Sequence, residues 1–267
     1  MKRLAILGGG ESGVGAAILG KQKHYAVLVS DQSNIATKYK EVLRHHKIEF
    51  EENNHTECQI LNADVVVKSP GIPDKAPLVV KLKKQGVPVV SEIEFAGQFT
   101  NANILGITGS NGKTTTTLLT HYILKKAKLN VGIAGNIGDS FARQVAERNF
   151  KNYVLELSSF QLDGIEKFNP HIAMITNITP DHLDRYEDDF ENYIAAKFRI
   201  TKNQTANDFL IYNADDKAII SGLKKYKTKA ILVPFSLEKE LAYGAFVKDE
   251  TIVIKLNKQE IQMPLTG

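Results

Sequence analysis

The sequence predicts an α/β protein in two domains. The first is a parallel, doubly wound sheet over residues 1–97; the second, over residues 98–267, ends in a small antiparallel β meander. Three observations carry this. Short apolar runs alternate with amphipathic ones through most of the chain, the pattern of strands linked by crossover helices. Two of the strand-to-helix junctions are glycine-rich, at residues 8–13 and 106–113. Near the end, residues 245–247, 251–254 and 260–263 alternate apolar and polar between the turns Lys248-Asp249-Glu250 and Asn257-Lys258-Gln259, as hairpins do.

The 267 residues suffice for one large or two ordinary domains. Hydrophobic content of 43% supports a core, and 24% charged residues is ordinary for a soluble chain. The net charge of +4 suits a small anionic substrate. It does not point to nucleic acid, because no Lys/Arg run is interleaved with aromatics. Lys224-Lys225-Tyr226-Lys227 reads as a solvated helix end. The single cysteine, Cys58, excludes an internal disulfide and fits a reducing compartment. No apolar stretch reaches membrane-spanning length, and the chain enters a strand at once instead of a signal peptide. A cytoplasmic monomer without membrane insertion is expected.

In the first domain, the strand Arg3-Leu4-Ala5-Ile6-Leu7 runs into Gly8-Gly9-Gly10-Glu11-Ser12-Gly13, and a helix follows with Val14, Ala16, Ala17, Ile18 and Leu19. A second strand over residues 25–29 ends at Ser30-Asp31. Gly8, Gly10 and Gly13 match the dinucleotide fingerprint, with Asp31 near the distance of a ribose-binding acid. Taken alone this says NAD, but a UDP-linked sugar offers the same diphosphate and ribose. A strand over residues 63–67 leads to the rigid turn Ser69-Pro70-Gly71. Residues 78–85 read as a helix and 87–90 as a strand, and Ser91 with Glu94 forms a capping box for the next helix. Ligands of such sheets bind at the carboxyl ends of the strands, where the glycine turn, Asp31 and Ser69, Pro70 and Gly71 all fall.

The second domain opens on Ile104-Leu105-Gly106-Ile107-Thr108-Gly109-Ser110-Asn111-Gly112-Lys113-Thr114-Thr115. A buried strand, a glycine loop, a Lys-Thr pair and a helix with Leu118, Leu119, Tyr122 and Ile123 are the parts that cradle a triphosphate. Backbone N–H groups face the anion, Lys113 reaches the terminal phosphates, and the Thr114 hydroxyl sits on Mg²⁺. The usual spacing places a glycine at Ile107, whereas this chain has Gly106 and Gly109. A strand over residues 131–134 ends in Gly135-Asn136-Ile137-Gly138, and the strand Tyr153-Val154-Leu155-Glu156 delivers a carboxylate beside the loop, a natural Mg²⁺ partner. Residues 171–177 form another strand. Its exit loop holds Asp181-His182-Leu183-Asp184-Arg185-Tyr186, where His182 is a candidate ligand or acid/base group; His171 reads as structural. The next helix buries Phe190, Tyr193, Ile194 and Phe198. Lys197 beside them reads, on composition alone, as a snorkelling surface lysine. After a strand over residues 209–212, Asp215 and Asp216 read as helix caps, and residues 230–234 form one more strand.

These motifs resemble the Mur ligases of peptidoglycan synthesis. The loop at residues 108–114 is similar to the family's ATP loop. Gly135-Asn136-Ile137-Gly138, Glu156-Leu157-Ser158-Ser159-Phe160-Gln161-Leu162 and Asp181-His182-Leu183-Asp184-Arg185-Tyr186 resemble the branch that adds D-glutamate. The resemblance implies a Rossmann-like domain followed by a P-loop ATPase-like domain. It implies that ATP phosphorylates the carboxylate of UDP-N-acetylmuramoyl-L-alanine and that the amine of D-glutamate attacks the acyl phosphate. It implies that Gly109, Ser110, Asn111, Gly112, Lys113, Thr114 and Thr115 hold ATP, Lys113 on the β- and γ-phosphates. Thr114 and Glu156 then bind one Mg²⁺ and His182 a second, and Lys197 matches the lysine that CO₂ carbamylates into a metal-orienting anion. Asn136, Ser158 and Gln161 contact the muramoyl substrate, and Gly10, Glu11, Ser12, Asp31, Ser69, Pro70 and Gly71 hold the uridine diphosphate, displacing the NAD reading. Family members continue into a third domain that supplies the D-glutamate site, beyond a sequence like Pro264-Leu265-Thr266-Gly267. This chain ends there, so the expectation is UDP-ligand binding with little or no amide formation. Rival readings are a non-catalytic UDP-sugar module, an NAD-dependent oxidoreductase, a generic P-loop kinase or NTPase, and a sister ligase for another amino acid.

Overall fold

The computed structural model describes residues 1–265; of the run Pro264-Leu265-Thr266-Gly267, the last two residues lie outside the described part. In the N-terminal part, β1 (Arg3–Leu7), α1 (Glu11–Gln22), β2 (Ala26–Asp31), α2 (Thr37–His45), β3 (Glu49–Glu52), α3 (Glu57–Leu61), β4 (Val65–Lys68), α4 (Pro77–Lys84), β5 (Val89–Val90) and α5 (Glu92–Gly97) follow in order. Their strands form a sheet of order β3-β2-β1-β4-β5, with every pair parallel. The order reverses beside β1. A crevice therefore opens at its carboxyl end, where the chain enters the glycine turn.

The rest of the chain begins with β6 (Asn103–Thr108), α6 (Lys113–Lys126), β7 (Val131–Gly135), α7 (Phe141–Glu147), β8 (Asn152–Glu156), α8 (Ser159–Asp163) and β9 (Ile172–Ile175). It continues through α9 (Phe190–Phe198), β10 (Phe209–Asn213), α10 (Lys217–Lys225), β11 (Ile231–Ser236), β12 (Gly244–Lys248), β13 (Thr251–Leu256) and β14 (Gln259–Pro264). These strands form a second sheet of order β14-β13-β12-β11-β10-β9-β6-β8-β7. The α/β class with a parallel first sheet and an antiparallel end to the second is therefore present as expected. The meander is β12–β13–β14, and it extends the main sheet, because β12 pairs in parallel with β11.

A single apolar cluster runs between the two sheets. Val14, Ala17 and Ile18 of α1 and Ile93, Phe95 and Ala96 of α5 share it with Phe141, Ala142, Tyr153 and Phe168. Phe141 and Tyr153 meet edge to face at 5.0 Å. Because residues of α1 and α5 share this buried cluster with α7 and Phe168, the two sheets are joined by core packing and not by a solvated linker.

Two local expectations are corrected, and one stretch carries elements that had not been expected. The Ser91–Glu94 box is half formed: the Ser91 hydroxyl accepts from the Glu94 N–H at 3.2 Å. The Glu94 carboxylate turns away and accepts from the N–H groups of Glu166, Lys167 and Phe168 at 2.9, 2.9 and 2.7 Å. Those three donors outcompete the cap. On α6, Leu118, Leu119, Tyr122 and Ile123 are all more than half exposed, and Thr117 is the buried residue of that helix. The apolar spacing marked a helix but not its buried face. Residues 32–62 carry α2, β3 and α3, none of which the sequence reading assigned.

Candidate nucleotide and substrate site

The phosphate loop sits where the second sheet's strand order reverses. β6 lies between β8 and β9, so its carboxyl end opens into a gap with Glu156 of β8 on one side and Thr176-Asn177 on the other. The departure in glycine spacing has a simple origin. Ile107 is mid-strand and buried, and the turn begins only after Thr108. Gly112, the N-cap of α6, has φ +76°, a left-handed conformation that side chains resist.

The loop is held from outside. The Asn111 N–H donates to Asn177 Oδ1 at 2.8 Å, and the Thr179 N–H donates to the Ser110 hydroxyl at 3.0 Å. The Ser110 hydroxyl also lies 3.2 Å from the Tyr193 hydroxyl. Asn177, Thr179 and Tyr193 were not singled out from sequence. Their one available signal was proximity to the Asp181-His182 motif and to the apolar stripe of α9.

Glu156 is the centre of the arrangement. It is 1% exposed. One carboxylate oxygen accepts from the Thr114 hydroxyl at 2.7 Å, the other from the Asn136 side-chain amide at 2.8 Å. The Asn136 N–H also donates to the Glu156 carbonyl, at 2.8 Å. A hydroxyl and a carboxylate in contact at the start of a phosphate-loop helix are hard oxygen donors of the kind Mg²⁺ takes. The donor set of Thr114 and Glu156 therefore fits that ion. Among the described residues, no three His, Cys, Asp or Glu side chains gather as a metal cage. That is in keeping with Mg²⁺, which is commonly bound by one or two carboxylates plus substrate phosphates.

Lys113 and Lys197 converge on the same turn. The Lys113 ammonium donates to the carbonyls of Gly109 and Ser110, both at 2.9 Å. Lys197 Nζ donates to the Gly109 carbonyl at 2.8 Å and stands 4.5 Å over the Tyr193 ring. Lys197 is 1% exposed, so the expectation of a snorkelling surface lysine is wrong. Burial, and after it the nearby charge of Lys113, push its pKa down to about 7. Part of the population is then a neutral, nucleophilic amine at physiological pH.

His182 lies on the rim. It has φ +51°, its ring is 5.2 Å from that of Phe160, and its Nε2 is 3.5 Å from Asp181. It makes no hydrogen bond to Glu156 or Lys197. Gln161 is buried and completes a capping box on α8, its Oε1 accepting from the Ser158 N–H at 2.9 Å and the Ser158 hydroxyl at 3.0 Å. Both residues thus have a structural task where a substrate contact was expected. Asp216 caps α10, and Asp215 accepts from Ser236 and Leu237, as structural carboxylates.

In the first sheet, a cavity of about 650 Å³ lies at the carboxyl ends of β1, β2 and β4, lined by Gly8, Gly10, Asp31, Ser33, Ser69 and Ile72 among others. That volume is in the range of small-molecule sites. Asp31 braces the turns beside it, accepting from the N–H of Gly9 at 2.7 Å and of Ser33 at 2.8 Å. Ser12 lies in the first turn of α1. Glu11 does not line this cavity: its carboxylate accepts from the Ser140 N–H at 3.3 Å, across to the second sheet. Arg185, of the Asp181–Tyr186 motif, ties the two halves as well. Its guanidinium donates to the carbonyls of Pro70 and Gly71, both at 3.2 Å, and stacks 4.4 Å over Phe160.

Fold and site together define a two-sheet α/β protein with a phosphate loop in the second sheet and a Rossmann-type crevice in the first. Residues 107–267 match the family model described as the Mur ligase middle domain, and residues 3–77 match the MurD N-terminal domain. The chain belongs to the Mur ligase family. It is 57% identical over 263 residues to the UDP-N-acetylmuramoylalanine–D-glutamate ligase of Christiangramia forsetii, covering 98% of this chain and 59% of that protein. It is 55% identical over 271 residues to the protein of the same name from Bacteroides thetaiotaomicron, covering 100% and 61%. The chain therefore spans about three fifths of the length of these curated relatives. Among solved structures, the ligase MPL from a Neisseria species superposes with a TM-score of 0.65 at 19% identity, over 97% of this chain and 86% of that one. MurC from Thermotoga maritima superposes with 0.56 at 19% identity, over 98% and 60%. At such identities the likeness establishes the fold.

Proposed function

We propose that this chain carries the UDP-substrate and ATP sites of a ligase that joins D-glutamate to UDP-N-acetylmuramoyl-L-alanine. The observation that supports it most is the contact of Thr114 and Asn136 with the two oxygens of Glu156, at the mouth of the phosphate loop. In this reading, Gly109, Ser110, Asn111, Gly112 and Thr115 wrap the ATP phosphates with backbone N–H groups, and Lys113 leaves its carbonyls for the β- and γ-phosphates. Gly10, Ser12, Asp31, Ser69, Pro70 and Gly71 hold the uridine diphosphate, in two domains that part near residue 97. Asn136, with Ser158 and Gln161 at the entry of α8, meets the muramoyl part.

A carboxylate is a poor electrophile. It becomes reactive when its oxygen takes the γ-phosphoryl group and ADP leaves; the amine of D-glutamate then displaces phosphate from the acyl carbon. Two anions must approach each other, so positioning and charge neutralisation dominate the barrier. Thr114 and Glu156 would hold Mg²⁺, which would neutralise negative charge on the phosphate oxygens. The lowered basicity of Lys197 suits carbamylation: the neutral amine would add to CO₂ and lose a proton, leaving in place of the buried ammonium an anion able to orient metal, and His182 on the rim would bind a second Mg²⁺. Because the proposed reaction consumes ATP, the ligase is proposed to act in the cytoplasm.

Calorimetric titration tests the reading. UDP-N-acetylmuramoyl-L-alanine and Mg²⁺–ATP each bind, and NAD does not. Binding of NAD in preference to the UDP ligand, or nucleotide binding indifferent to Mg²⁺, would overturn it.

A further inference from the structure

Two buried or half-buried carboxylates outside the reaction centre reach from the first sheet's helices to one short segment of the second. Glu92, the first residue of α5, is 3% exposed, and its carboxylate accepts from the Ala142 N–H. Glu11, the first residue of α1 and part of the glycine turn, accepts from the Ser140 N–H at 3.3 Å. Between them the Ser140 side chain packs against the bare backbone of Gly15: a Cβ on Gly15 would lie 1.7 Å from the Ser140 hydroxyl. Ser140 caps α7 through the Arg143 N–H at 3.0 Å, and the Gln144 amide fastens α7 to the Ile133 carbonyl of β7 at 2.6 Å.

The segment so gripped is the direct continuation of Gly135-Asn136-Ile137-Gly138, whose Asn136 holds Glu156. Residues 135–142 therefore have one end on the metal-type carboxylate and the other on two acids of the first sheet, one of them in the diphosphate turn itself.

We propose that Glu92 and Glu11 are positioning residues that set the spacing between the diphosphate turn and Asn136. This rests on the reading above, in which one UDP-linked substrate spans both crevices. A ligand confined to the first crevice is insensitive to that spacing, while a ligand that also reaches Asn136 depends on it. Glu11 then acts on the second sheet and not on the diphosphate, which an added negative charge would repel.

The test compares the affinity of UDP-N-acetylmuramoyl-L-alanine with that of UDP for the wild type, E92A and E92Q by calorimetry. UDP affinity is the internal reference, so global destabilisation does not move the ratio. The wild type binds the spanning ligand more tightly than UDP. E92A lowers the ratio by about tenfold or more, and E92Q, which keeps an acceptor for Ala142, restores it to within about threefold. An unchanged ratio in E92A, or E92Q as poor as E92A, overturns the proposal, as does a wild-type ratio of one. If E92A does not fold, E11A carries the test, with a lowered ratio expected and an unchanged ratio counting against. Failure of the wild type to bind UDP at all refutes the functional reading instead.

Discussion

Glu92→Gln should make the protein's stability less dependent on pH, in a direction opposite to that of an ordinary ion-paired acid. Burial, opposed by the Ala142 and Ser140 hydrogen bonds and reinforced by the charge of Glu11, raises the Glu92 pKa from 4.5 to about 7. A pKa raised in the folded state favours folding of the protonated form, so this contribution is complete below the unfolded value and is lost as pH rises through the folded one. Between pH 5 and pH 8 the unfolded carboxyl gives up its proton more readily than the native one. The native state falls behind by roughly 2 to 3 kcal/mol from this group alone. Glutamine keeps the acceptor oxygen and cannot ionise. Urea unfolding of both proteins at pH 5 and pH 8, with the m-value checked for constancy, reads the difference. The variant should gain roughly 2 to 3 kcal/mol on the wild type over that interval. A difference between the two proteins that is flat with pH, or that moves toward the wild type at high pH, would refute the reasoning.

Other consequences follow from single contacts. Gly15→Ala places a methyl against the Ser140 hydroxyl and should cost about 1–3 kcal/mol by thermal or urea unfolding, as overpacking does. Thr114→Ala and Glu156→Gln should each weaken Mg²⁺-dependent ATP binding, by about tenfold or more in calorimetry, while UDP affinity stays as in the wild type. Lys197→Met should abolish a carbamate carbon resonance that appears in the wild type on equilibration with ¹³C-bicarbonate, and the signal should fade below pH 7, where the amine is protonated. Leu119→Lys, on the exposed side of α6, should change stability by no more than about 0.5 kcal/mol.

The parts of the fold that were legible share one property: their signal is local. A strand such as Arg3–Leu7 is buried along nearly its whole length, so its residues are apolar in sequence too. Glycine loops show themselves because the backbone has to turn tightly within a few residues, at positive φ in Gly8, Gly109 and Gly112. β3 was invisible because Glu49-Phe50-Glu51-Glu52 is an edge strand paired with β2 alone, and its carboxylates serve Ser30, Thr56, Ile35 and Lys40 instead of a core. α2 buries only Leu43, too little for an apolar stripe.

The candidate site divides along the same line. Lys113, Thr114 and Glu156 come from motifs whose residues meet by the rule that parallel strands end together. Lys197 is different. Its partner is a carbonyl 88 positions away, and nothing within its own helix distinguishes it from a surface lysine; only the family resemblance picked it out. Glu92 and Glu94 look like ordinary first-turn acids of a helix. Their partners lie 50 and 72 to 74 positions further along the chain, so their burial follows from how the two sheets dock, which no window of sequence displays.

The proposed reaction requires a nucleotide and a UDP-linked acid to be bound at once, with Glu156 serving the nucleotide's metal. Titrating Mg²⁺ and a non-hydrolysable ATP analogue into protein already saturated with UDP-N-acetylmuramoyl-L-alanine addresses this directly. A saturable binding event that leaves the UDP ligand in place and disappears in Glu156→Gln is the predicted result. Displacement of the UDP ligand by the nucleotide, or equal binding in Glu156→Gln, would contradict it.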